Sequence, residues 1–224
     1  VAKQSVFTHD IIPRIRAGHS VLSIVTHEWE RVQNDLIVAS ERLDRRLLAW
    51  SSANNAIQEL LEEDGDLRWD NLKINGEEIP IQFDDIWNGS VPSEGPDWVS
   101  GRVGRCTPDF LLSWYKQHPE LHNSILWLRD ITPYMDSTTH GATTHERRAL
   151  VRRIRDFCIG GEEVLGKTVV MTFPENYLPV ELEKDVEQFS LPLPDDEIML
   201  GILKMEIDTW NDLHPEEQVK MPRG

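Results

Sequence analysis

Apolar and polar positions along the chain alternate between short β-branched runs and longer amphipathic stretches. Val21–Thr26 (VLSIVT) is apolar at nearly every position, the pattern of a strand covered on both faces. His27–Asp44 then lines Trp29, Val32, Leu36, Ala39 and Leu43 along one helical face. Arg46–Ser51 (RLLAWS) reads as a second strand, Ile125–Arg129 (ILWLR) as a third and Lys167–Phe173 (KTVVMTF) as a fourth; Val186–Leu191 (VEQFSL) is a short fifth. Helices fall between them. Thr107–Leu121 opens on Thr-Pro-Asp, with proline in the first turn. Thr144–Cys158 turns Leu150, Ile154 and Phe157 to one side, and Asp195–Trp210 starts with two aspartates at its positively polarised end. Strands separated by helices of this length predict an α/β fold: a mostly parallel sheet with helices on both faces. Ligands in such folds bind beyond the carboxyl ends of the strands, near a topological switch point.

Ala53–Cys106 breaks the rhythm after the second strand. It carries twelve acidic against four basic side chains, together with Trp69, Trp87 and Trp98. Ile57–Glu63 reads as a helical continuation, and Asn71–Phe83 as a hairpin turning at Asn75-Gly76. The predicted organisation is therefore an α/β domain over residues 1–52 and 107–210, an acidic insertion over 53–106 and a polar tail over 211–224.

The 224 residues suit one domain with an insertion, and a formal net charge of −16 argues against general binding to DNA or RNA. The longest apolar runs, Ser124–Leu128 and Thr168–Phe173, fall far short of the roughly 20 residues of a membrane span. No basic leader with an apolar stretch opens the chain, and Cys106 and Cys158 have no metal-binding spacing. The expectation is a cytoplasmic protein, or a stromal one if the chain belongs to a plastid.

In an α/β fold of this order, phosphate would bind at the turn after the first strand, where glycines let backbone N–H groups reach it. That turn reads Thr26-His27-Glu28-Trp29-Glu30-Arg31, without glycine or a lysine followed by Ser/Thr. Two carboxylates stand where phosphates would go. The third strand ends in Leu128-Arg129-Asp130, the shape of a Walker B element that holds Mg²⁺, but Ile131 follows where an ATPase would place its water-polarising glutamate. Asp130 reads as a remnant that caps a loop.

Taken together, the degenerate loop, the Walker B-like strand and the run Val169–Pro179 resemble an AAA+ module, with Thr172 near the sensor-1 position. Leu182–Glu197, containing Leu191-Pro192-Leu193-Pro194-Asp195, is similar to that family's passage into a helix. Ala17–Val32, Leu48–Ser51 and Leu128–Asp136 resemble a narrower group, the AAA-type proteins of bacteria, cyanobacteria and algal plastids. Members of that group carry a degenerate first half before a complete ATPase half. The likeness covers roughly residues 10–52 and 107–205. It implies a nucleotide-hydrolase fold without its hydrolysing residues, hence no catalytic residue in this chain and ATPase activity only beside a catalytic half. Thr26, Asp130 and Thr172 are then remnants of a nucleotide and Mg²⁺ site, and neither ATP nor Mg²⁺ is an expected cofactor.

Thr144–Cys158 carries Arg147, Arg148, Arg152, Arg153 and Arg155 against Glu146 and Asp156. Three readings remain open: a docking face for an acidic partner, an arginine finger toward a neighbouring subunit, or a solvated face. Trp29, Trp50, Trp114, Trp127 and Trp210 read as core; Trp69, Trp87 and Trp98 either close a small core of the insertion or anchor a partner. Asp136, His140 and His145 match no established metal-ligand spacing, so no metal is expected. Cys158 reads as packed rather than reactive.

The functional expectation is a non-hydrolysing AAA+-like module that binds a protein partner or its own copies. The alternative is a domain that keeps nucleotide binding or completes the active site of a neighbouring subunit or downstream half.

Overall fold

Strand burial follows the apolar runs. In the computed structural model, residues 8–51, 56–63, 65–78, 107–129, 131–135, 144–191 and 196–220 are described. β1 (Val21–Val25), β7 (Ser124–Arg129) and β8 (Lys167–Phe173) are buried along almost their whole length because helices cover both faces. β2 (Arg46–Ser51) and β9 (Glu187–Ser190) complete a parallel set. β3 (Ile57–Glu63) and β4 (Asp66–Asn71) add two antiparallel strands, giving seven strands in the order β4-β3-β2-β7-β8-β1-β9.

The chain leaves β1 toward β2 on one side and leaves β8 toward β9 on the other, so the switch point lies at the carboxyl end of β1. α1 (Thr8–Arg16) and α2 (Trp29–Leu43) pack together; Val32, Leu36 and Ala39 of α2 are fully buried. α3 (Pro108–Gln117) packs on α5 (Thr144–Ile159), where Tyr115 stacks on Phe157 with ring centroids 5.8 Å apart; the short α4 (Thr132–Met135) also lies against α5. Leu48, Trp50, Leu126, Leu128 and Met171 join these side chains in one apolar cluster.

The amino ends of the parallel strands are tied by left-handed residues. Asp44 (φ 52°) closes α2, Asn123 (φ 63°) precedes β7 and Gly166 (φ 76°) precedes β8. The Arg46 N–H donates to Asn123 O at 3.0 Å, and the Ser124 N–H to Gly166 O at 3.2 Å. A Cβ on Gly166 would lie 3.2 Å from the Asn123 nitrogen, so close approach and positive φ both demand glycine.

Ile57–Glu63 is a strand, not a helical continuation. Ile57, Leu60 and Leu61 have helical spacing, but the open edge of β2 offers backbone partners, and Arg46 on β2 grips Glu59 on β3 through two hydrogen bonds of 2.6 and 2.8 Å. The expected turn at Asn75-Gly76 is present between β5 (Lys73–Ile74) and β6 (Glu77–Glu78), with φ of 54° and 84°. Trp50, Trp114 and Trp127 are core, Trp29 is half-buried, and Trp210 is exposed rather than core.

Leu191–Gly224 forms a second compact unit. It contains α6 (Asp196–Leu213), on which Trp210 stacks over His214 at 3.9 Å and Asn211 exchanges two side-chain hydrogen bonds with the Val219 backbone. Among the described residues, no helix is long and apolar enough to cross a membrane.

Candidate functional site

The carboxyl ends of β1 and β8 meet where a nucleotide-binding fold would hold phosphate. Thr26 follows β1 directly, and its N–H donates to Phe173 O at 2.8 Å. Its hydroxyl accepts the Glu28 N–H at 2.9 Å, so the side chain folds back on its own turn. Glu28 then pairs with Arg31 at 3.0 Å across the first turn of α2. Glu28 and Glu30 put two carboxylates at the helix end whose free N–H groups would otherwise attract an anion.

Thr172 lies opposite Ile24 in the parallel ladder and is fully buried. Its hydroxyl accepts the Trp127 indole N–H at 3.1 Å. The structure therefore brings Thr26 and Thr172 to one end of adjacent strands, each with its hydroxyl engaged inside the chain. Asp130, the third remnant, lies outside the described residues, as do Trp87, Trp98, Asp136, His140 and Cys106. Among the described residues no group of His, Cys, Asp and Glu could hold a metal ion.

The arginines of α5 divide into two sets. Arg147 donates to Met135 O at 2.9 Å, and Arg155 pairs with Asp185 at 3.1 Å while also donating to Glu181 O. Arg153 approaches Asp156 at 4.0 Å. Arg148 and Arg152, one turn apart, are exposed and have no ion pair among the described residues. Three large apolar side chains, Ile159, Leu165 and Val180, are each about three-quarters exposed: Ile159 ends α5, and Val180 opens a 3-10 turn packed against that helix.

Sequence reasoning missed two arrangements. Arg129, at the tip of β7, lies between the rings of Trp69 and Trp127. Lys167, at the start of β8, is 3% exposed and donates to three backbone carbonyls at the end of α3. Burial pushes its pKa down to about 8. Cys158 agrees with its reading as packed: burial pushes its thiol up to about 12.

Two cavities lie away from the strand ends described above. One of about 120 Å³ sits between α3 and α5 beside Lys116 and Arg153. A groove of about 450 Å³ runs along the amino end of β2 beside Arg45, Leu60 and His122.

Five parallel strands in this order, with the first feeding a helix at the switch point, define an AAA+-like P-loop fold. The family described as SpoVK-like AAA ATPase, N-terminal domain matches residues 7–191, and the chain belongs to it. No curated protein matches the chain in sequence. Among solved structures, a chain of the E. coli MS115-1 HORMA:CdnC:Trip13 complex is similar at 14% identity and a TM-score of 0.48. The alignment covers 90% of this chain and 60% of that one.

Proposed function

We propose that this chain is a non-hydrolysing AAA+-like module acting in assembly or regulation through protein contacts. The observation that carries the reading is the closed turn after β1. Thr26 accepts from the Glu28 N–H, Glu28 pairs with Arg31, and two carboxylates occupy the anion-attracting end of α2. A triphosphate would have to break these contacts and face like charge. The contact surface is the exposed side of α5, where Arg148 and Arg152 share a helix face with protruding Ile159 about two turns further on. Arginine beside exposed apolar area is the composition of protein interfaces.

Calorimetric titration of the purified chain with ATP and with ADP, Mg²⁺ present, tests the first part. Absent or millimolar affinity supports the module; a micromolar Kd sinks it. Light scattering on the chain and on the double variant Arg148→Ala/Arg152→Ala tests the second. Loss of self-association or of a co-purifying partner, with no change in folding, is expected. Loss of nucleotide turnover in a mixed assembly, with association intact, would instead favour an arginine finger toward a neighbouring subunit.

A further inference from the structure

Arg129 and Trp127 share one face of β7 by the two-residue repeat of a strand, and Trp69 reaches the same place from β4. The guanidinium carbon lies 4.3 Å from the centroid of the Trp127 ring and 4.4 Å from that of Trp69. Two indole rings thus attract the cation through their π-faces, which do not replace oxygen acceptors for its N–H groups. Nε and Nη2 are buried and have no hydrogen-bond partner among the described residues; neither has the indole Nε1 of Trp69. Burial lowers the Arg129 pKa, yet an arginine keeps its proton inside a protein. The result is a positioned cation with two donors, Nε and Nη2, that have no acceptor among the described residues.

Nε and Nη2 together form the edge of a guanidinium that takes two oxygens of one carboxylate or phosphate in parallel hydrogen bonds. The edge stands at the carboxyl end of β7, the end of the sheet where α/β folds bind ligands, but two strands from the turn after β1. We propose that Arg129, clamped between Trp69 and Trp127, receives one oxyanion of a ligand, a phosphate or carboxylate group, through Nε and Nη2. The site needs neither glycine loop nor metal, so it is compatible with an inert phosphate loop and goes beyond the reading above.

The test uses the unsubstituted chain and two simple anions. The Arg129 Nε–H resonance is assigned by its loss in Arg129→Lys, or by nuclear Overhauser contacts to the two indole rings should that variant not fold. Sodium phosphate and sodium acetate are then titrated separately at constant ionic strength, without nucleotide or Mg²⁺. A saturable shift with a dissociation constant of about 1 mM is expected, in the range that two charge-assisted hydrogen bonds support. Response to phosphate assigns a phosphate ligand; response to acetate alone assigns a carboxylate. In a thermal-shift titration Arg129→Lys, which keeps the charge but not the fork, should bind about tenfold more weakly. No saturable movement with either anion up to about 50 mM, or undiminished stabilisation of the folded lysine variant, overturns the proposal.

Discussion

Replacing Lys167 with methionine keeps most of the apolar stem and deletes the ammonium, which isolates what its three hydrogen bonds contribute. Nζ donates to the carbonyls of Tyr115, Lys116 and His118 at 2.8, 2.9 and 2.7 Å, at the point where α3 ends and its last carbonyls lack helical partners. Hydrogen bonds from a charged donor contribute about 1.5–3 kcal/mol each. Against that stands the cost of burying an ammonium, several kcal/mol. Water can also reach the half-buried end of α3 once the amine has gone. The net loss for Lys167→Met is therefore about 2–4 kcal/mol, read as a lower urea midpoint by tryptophan fluorescence. The pH dependence carries a sign. Burial holds the folded pKa at about 8 against an ordinary value of 10.5, so between those values the unfolded chain binds more protons. Wild-type stability from this group therefore rises as pH climbs from about 8 toward 10.5, and the gap to the methionine variant widens. A loss below about 0.5 kcal/mol at pH 7 would show that water serves those carbonyls equally well. A gap that narrows with rising pH would refute the argument that burial disfavours the charged amine of Lys167 relative to the neutral one.

Gly166→Ala should destabilise the chain by about 2–3 kcal/mol, since it combines a left-handed backbone with a Cβ 3.2 Å from the Asn123 nitrogen. Gly76→Ala, with the same sign of φ but nothing within 4 Å, should cost only about 1 kcal/mol, and equal urea midpoints would refute the close-approach argument. In a Cys106→Ser background, Cys158 should react with iodoacetamide at pH 8 about a thousandfold more slowly than an exposed thiol, because its pKa near 12 leaves almost no thiolate. A rate within tenfold of a free thiol would contradict its burial.

The parallel strands were readable because a strand covered on both faces has little room for polar residues, and β7 and β8 are written as nearly continuous apolar runs. α3 was readable from Thr-Pro-Asp, and the β5–β6 turn from Asn-Gly. Ile57–Glu63 was not, because its apolar spacing satisfies a helix and only the free edge of β2 decides otherwise. That misreading hid a further feature. Trp69 comes to Arg129 on β4, the return strand of the same hairpin, so no reading that made Ile57–Glu63 helical could place the two side by side. Lys167 was hidden for a related reason: its partners are backbone carbonyls some fifty residues earlier, and carbonyls leave no mark in a sequence.

The same distinction separates what a motif search sees from what the fold has done. The absence of a phosphate-loop lysine suggests a site with one part missing, as though restoring it would restore binding. The side chains around the strand ends argue otherwise. Thr26 holds the Glu28 N–H, Glu28 holds Arg31, and Thr172 receives the Trp127 indole, itself stacked against Arg129. The hydroxyls of Thr26 and Thr172 and the carboxylate of Glu28 thus already have internal partners, and a buried indole N–H without Thr172 would be an unsatisfied donor. Under the proposed reading these contacts stabilise the fold in the unliganded state, so reopening the site would trade stability for binding. Arg129, which no nucleotide motif names, keeps Nε and Nη2 without an acceptor among the described residues, and under the proposal above its guanidinium is where this end of the sheet would receive an anion.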